Sequence, residues 1–209
     1  FRLADRFRFV DGADAGNRDF VYMKHMAEDL GYDVEITDVS TEFTTIGLWG
    51  PNARATLQKL VEDPDSLTHE SFPFASIKPI AIAGKDVAAF RISYVGEQGW
   101  ELHLPFSYGL SLWDMIYQQG ATPVGVETYA NSRRLEKSLR LQNADLLTEY
   151  NLYEAGLARP VVKAADFHGK APYLEQRELE HQAAYLCTLS MTNNVDSEGV
   201  ARFPVGQCP

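Results

Sequence analysis

Apolar and polar residues alternate most strictly over residues 99–104. There Trp100, Leu102 and Leu104 face one way and Glu101 and His103 the other, as in a half-buried strand. Residues 43–49 read as a second strand that ends at Gly50-Pro51-Asn52-Ala53. Proline suits the first turn of a helix because its missing N–H would be unpaired there, and a helix to about residue 61 follows with Leu57, Leu60 and Val61 inward. Residues 79–83 and 86–93 form two further strands, joined through Gly84-Lys85 as a tight hairpin. Upstream, Phe7-Arg8-Phe9-Val10 reads as a strand running into the Asp11-Gly12 turn. Phe20, Met23, Ala27 and Leu30 recur at helical spacing over residues 17–30, and Gly31 stops that helix. Residues 33–38 alternate as a strand should.

Downstream, residues 108–119 carry Leu112, Trp113, Ile116 and Tyr117 at helical spacing, with Gly120 as the stop. Val124-Gly125-Val126 leads into another helix through Leu135, residues 141–156 are polar and irregular, and a helix starts near Gly169. Residues 184–189 look strand-like, and a Ser197-Glu198-Gly199 turn with another short strand follows, so an all-β unit is expected to begin near residue 182. The class this pattern predicts is α+β.

The stretch 94–104 concentrates the candidate chemistry. Gly96 and Gly99 give the chain backbone angles that other residues resist, so a tight turn can present Glu97. Tyr94, Glu97, Glu101 and His103 then form a polar rim beside an apolar strand face. Such a rim suits a flat, amide-bearing heterocycle, because a carboxylate accepts paired N–H bonds from its edge. Each such charge-assisted bond is worth about 1.5–3 kcal/mol. Glu101 would be the recognition carboxylate, with Trp100 and Tyr94 as its walls. An ordinary hairpin with its polar face in water accounts for the same pattern.

Composition narrows the classes. The chain has 209 residues, 45% hydrophobic and 23% charged, as expected of a folded protein. The net charge of −10 offers no basic face for nucleic acid, although Arg133-Arg134 with Lys137 could attract an anion such as a polyglutamate tail. Cys187 and Cys208 are too few for a disulfide framework and lack metal-ligand spacing, which fits a reducing compartment. The five histidines are scattered, so no metal is expected. No glycine-rich phosphate loop or nucleophile elbow is present. No apolar run approaches the roughly 20 residues that span a bilayer. The chain starts at Phe1 and ends at Cys208-Pro209, so it reads as a piece of something longer.

Five stretches rise above this background. They are Gly50-Pro51-Asn52-Ala53, Tyr94-Val95-Gly96-Glu97-Gln98-Gly99-Trp100-Glu101, Arg134-Leu135-Glu136-Lys137, Tyr153-Glu154-Ala155-Gly156-Leu157 and Asp166-Phe167-His168-Gly169-Lys170. In this order and at these separations the chain resembles the folate-binding aminomethyltransferase family, typified by the glycine cleavage system T-protein. The Arg-Leu-Glu-Lys and Glu-Ala-Gly-Leu forms are most similar to the C-terminal folate region of dimethylglycine and sarcosine dehydrogenases.

The resemblance implies ferredoxin-like mixed domains in a ring around a central folate pocket, with the start of a C-terminal β-barrel. Residues 1–40 would be the tail of a small α+β domain, 41–181 the main folate-binding domain and 182–209 the start of the barrel. It also implies tetrahydrofolate as cofactor, with its pterin held by Glu101, Tyr94 against the ligand, and Glu97 at the turn as a weaker contact. The family's catalytic Asp would precede Phe1, so no catalytic residue is expected here. The family's tail-binding Arg aligns with Ala130, and Arg133, one helical turn on, is the candidate substitute; a solvated helix face is the simpler account of Arg133, Arg134 and Lys137. Glu136 would tie elements together, and Asp145 and Glu154 would border the pocket. The implied activity is transfer of an amine-derived one-carbon unit to give 5,10-methylenetetrahydrofolate. FAD would be involved only through an upstream oxidoreductase domain. A non-catalytic folate-binding module and a folate-dependent demethylase are the alternatives. Partners would be small molecules, with neither nucleic acid nor membrane, in bacterial cytoplasm or the mitochondrial matrix.

Overall fold

The computed structural model describes residues 2–3, 5–12 and 15–202 and divides the chain into two units. The first comprises residues up to Ser93 together with Gln98–Thr122; the second comprises Tyr94–Glu97 and the chain from Pro123 onward.

The first unit is built on a four-stranded antiparallel sheet. Its strands are β1 (Phe43–Trp49), β2 (Ile77–Ile82), β3 (Lys85–Phe90) and β4 (Gly99–Pro105), in the order β1-β4-β3-β2. The period-two alternation decides which side each residue takes. Ile46, Leu48, Ile80, Ile82, Val87, Ala89, Trp100, Leu102 and Leu104 bury one face. Two helices add to that core, α2 (Ala53–Gln58) through Ala53 and Leu57 and α3 (Gly109–Gln118) through Leu112 and Ile116, and the segment between α2 and β2 adds Val61, Leu67 and Phe72. The β2–β3 turn is Ala83-Gly84, one residue earlier than expected. Both residues have positive φ, the geometry that matches strand twist in a two-residue hairpin.

The loop between α2 and β2 is tied down by cations. Lys78 Nζ donates to the Ser66 and Ser71 carbonyls, Arg54 Nη1 to that of Leu67 and Arg91 Nη1 to that of Phe72. These bonds satisfy backbone oxygens that a loop leaves unpaired.

Several expected elements differ. Residues 7–10 form no strand; Phe7 makes a single bridge to Arg2. Residues 33–38 are irregular, because alternation alone makes no strand where no neighbouring strand supplies a ladder. The helix α1 (Gly16–Asp29) forms where its spacing predicts, yet none of its residues is buried. The helix α2 stops at Gln58, and Val61 instead bridges Ile82. On α3, Trp113 and Tyr117 are exposed, in line with Phe106 and Leu110.

In the second unit, a π-wound turn, Glu127–Arg133, runs into α4 (Arg134–Glu136). An irregular segment leads from there to α5 (Lys170–Arg177), entered through Gly169 at φ 82°. Residues 184–189 form no strand, so the expected opening of a barrel is not seen there; the turn over 196–199 is flanked by one bridge, Val195 to Ala201. Cys208 lies outside the described residues, and Cys187 is exposed.

Candidate functional site

The open face of the sheet carries Glu101. In register, Gly47 and Phe90 flank it across the two neighbouring strands, while Gly99 and His103 precede and follow it on the same side of β4. Its side chain is 29% exposed, so the carboxylate is neither sunk in the core nor fully in water.

The two glycines explain what lies beside it. A Cβ at Gly47 would come within 2.7 Å of the Trp49 indole, and one at Gly99 within 2.6 Å of Trp49 Cδ1. The half-buried indole of Trp49 therefore folds back across the sheet and rests where two side chains would otherwise stand. Glycine inside a strand marks such a close approach. The Glu101 carboxylate is thus framed by an indole, the Phe90 position and an imidazole.

His103 is buried, at 5% exposed. Its Nδ1 lies 2.9 Å from Thr45 Oγ1, directly across β1, and its Nε2 lies 3.6 Å from the Glu101 carboxylate. The predicted division of β4 into two faces holds, but its polar face is more enclosed than a solvated hairpin would be.

Trp100 does not line this site. Its ring is fully buried on the opposite face, edge-on to Phe72 at 6.0 Å, with the Arg54 and Arg91 guanidiniums 5.8 and 5.9 Å from its centre. Alternation itself puts consecutive residues on opposite faces, so Trp100 cannot wall a site that holds Glu101. Trp49 supplies the aromatic surface that sequence reasoning gave to Trp100. The available signal was Gly47, placed between Ile46 and Leu48 inside a strand.

The remaining candidates belong to the second unit. Tyr94 donates its hydroxyl to the Arg140 carbonyl at 2.7 Å, and burial pushes its phenol pKa up. Gly96, at φ 76°, packs against the Lys137 side chain, and Glu97 is exposed. Arg133 is exposed and pairs with Glu136 at 3.1 Å, one turn along the helix surface, so Glu136 binds a neighbour rather than joining distant elements.

The interior of this unit is organised by Arg134, 1% exposed. Its Nε donates to the Ala130 carbonyl at 2.6 Å and its Nη1 to the Leu139 carbonyl and the Asp145 carboxylate. Asp145 also accepts the Leu141 N–H at 3.0 Å, while Arg134 Nη2 is buried without a partner. Glu154, also buried, accepts the Asn151 N–H at 2.8 Å. It lines, with Glu149, Asn151, Tyr173 and Gln176, an open cleft of about 580 Å³. Among the described residues no group of three or more His, Cys, Asp or Glu could hold a metal ion, and no helix is long and apolar enough to cross a membrane.

Comparison with known proteins adds a family pattern. The GCVT N-terminal domain matches residues 1–165. The mitochondrial dimethylglycine dehydrogenase of Homo sapiens is 34% identical over 199 residues, covering 92% of this chain and 23% of that protein. An aminomethyltransferase of Staphylococcus saprophyticus subsp. saprophyticus is 34% identical over 170 residues, 79% of this chain and 45% of that protein. The mitochondrial sarcosine dehydrogenase of Homo sapiens is 30% identical over 183 residues, 86% of this chain and 19% of that protein. The chain therefore spans 23% of the length of the dimethylglycine dehydrogenases it matches.

Proposed function

The chain belongs to the GCVT N-terminal domain family, and from that premise we propose that it is a tetrahydrofolate-dependent one-carbon (aminomethyl) transfer module. The observation that carries this reading is the setting of Glu101: a partly exposed carboxylate beside an indole that occupies the space over two glycines. A pterin edge presents an amino group and ring N–H donors, and the carboxylate accepts them. The ring's flat face meets the Trp49 indole, an arrangement in which stacking adds to the hydrogen bonds. The donor set fits this ligand because it offers an acceptor and an apolar surface and needs no metal.

Bound folate supplies two nitrogens that take up the methylene carbon of an amine-derived iminium; both N–H protons leave with the amine as its ammonium ion. This chain's residues act by orienting the reactants. Glu101 fixes the pterin edge and Trp49 its plane. Tyr94 and Glu97 are proposed as further contacts. Arg133 is proposed for an anionic glutamate tail, to which its exposed guanidinium can turn from Glu136. No residue here is assigned a proton-transfer role. Residues 1–40, 41–181 and 182–209 are proposed as the tail of a small domain, the main ferredoxin-like domain and the beginning of a β-barrel in a ring architecture. Where a flavin-bearing oxidoreductase domain is joined to such a module, it would produce the iminium. The mitochondrial matrix or bacterial cytoplasm is the proposed compartment, in keeping with the mitochondrial and bacterial relatives.

The test is a titration of Glu101→Gln and wild type with tetrahydrofolate. The substitution is expected to cost about 1.5–3 kcal/mol of binding, the worth of a hydrogen bond to a charged group, and an unchanged dissociation constant would count against the site. A single-turnover assay with a secondary amine and formaldehyde as iminium source then separates transfer from binding alone.

A further inference from the structure

We propose that His103 is a positioning residue for Glu101, presenting Nε2–H to the carboxylate while Thr45 holds the far side of the ring. The inference rests on reading Glu101 as the ligand-facing carboxylate.

The geometry is local to one face of the sheet. Thr45 lies directly opposite His103 in the β1–β4 register, and Glu101 stands two residues before His103 on β4. The Thr45 Oγ1 to Nδ1 distance is 2.9 Å and the Nε2 to carboxylate distance is 3.6 Å. A carboxylate only accepts, so the ring can approach it productively only through a protonated nitrogen. With the proton on Nε2 of a neutral ring, Nδ1 is the acceptor, and the rotatable Thr45 hydroxyl donates to it. The partner of one nitrogen thereby sets the state of the other.

At 3.6 Å the contact with Glu101 is just too long for a hydrogen bond, and a small rotation of the Glu101 side chain closes it. Contacts of this kind tighten when a ligand completes the site. The other register neighbours cannot do the same work. Gly47 and Gly99 have no side chain, and Phe90 is apolar. Without His103 the glutamate keeps the rotamer freedom that ligand binding must then remove. One oxygen oriented by the imidazole leaves the other aimed outward for a ligand N–H.

The experiment compares His103→Leu, His103→Gln, Thr45→Val and Glu101→Gln in the full chain, with 5-formyltetrahydrofolate as probe. Urea unfolding of each variant serves as the control for stability. Glutamine can accept from Thr45 and donate to Glu101, whereas leucine can do neither. The expected result is a dissociation constant raised about tenfold in His103→Leu and within about threefold of wild type in His103→Gln. Imidazole ¹⁵N shifts should place the His103 proton on Nε2 in wild type, and Thr45→Val should weaken that preference while leaving the ring in place. Wild-type binding by His103→Leu, or a proton on Nδ1, overturns the role of His103 while leaving Glu101 standing if Glu101→Gln still binds weakly. Wild-type binding by Glu101→Gln overturns the reading of the site itself, and the positioning role with it.

Discussion

Asp145 in the second unit and Glu101 in the sheet are both carboxylates with a basic neighbour, and they are held to opposite degrees. Asp145 is 12% exposed and takes the buried Arg134 guanidinium and a backbone N–H. Glu101 is more than twice as exposed and has one imidazole just beyond bonding distance. A carboxylate bonded to a buried guanidinium and a backbone N–H is architecture, because removing it strands a buried charge. A partly exposed carboxylate without a hydrogen-bonded cation, beside an aromatic side chain, can recognise something. The comparison explains why the acidic residues of this chain do not all carry the same meaning.

The largest expected effect tests the architectural half. Arg134→Met leaves Asp145 uncompensated and should destabilise the second unit by about 3–5 kcal/mol in urea unfolding. A loss no larger than that of an exposed pair would erase the distinction between the two carboxylates.

A contrast between two tryptophans sharpens the other half. Trp100→Ala empties a fully buried site and should cost about 3–5 kcal/mol of stability with its effect on folate secondary to that loss. Trp49→Ala should instead cost about 0.5–1.5 kcal/mol of folate affinity through lost stacking, with a much smaller effect on unfolding. Equal stability losses for both would return Trp49 to the core and remove it from the site.

The smallest effect concerns Tyr94. Tyr94→Phe deletes its bond to the Arg140 carbonyl and should cost about 0.5–1.5 kcal/mol of stability. Because burial raises its pKa, the contribution of the protonated phenol is fully present below the ordinary phenol value and is lost as pH rises through the raised one. Absorbance at alkaline pH should therefore show Tyr94 ionising later than in the unfolded chain.

The parts of this protein readable from its sequence are those where a local period meets a partner. The alternation of β4 gave the correct faces because β1 and β3 lie on either side of it. The same alternation over residues 33–38 misled, since no strand pairs with it. The side of the sheet that Glu101 takes was legible from the alternation of the strand that carries it. Trp49 was not: its place beside Glu101 depends on Gly47 lying opposite Glu101 and Gly99 opposite Trp49, which is a fact of register and not of composition. Thr45 and His103 were separated in the same way. Reading the residues alone set Trp100 beside Glu101, on the wrong side of the sheet, because consecutive strand residues face opposite ways.

The wide turn at Glu127–Arg133 has a consequence for anything that docks along it. In an α-helix three residues bring a side chain back to within about 60° of its starting direction. A π-wound segment falls further short, so Arg133 emerges well round the cylinder from Ala130, in keeping with the buried alanine and the exposed arginine. A negatively charged tail drawn to Arg133 would therefore follow a different track over the surface from one steered by a cation at position 130.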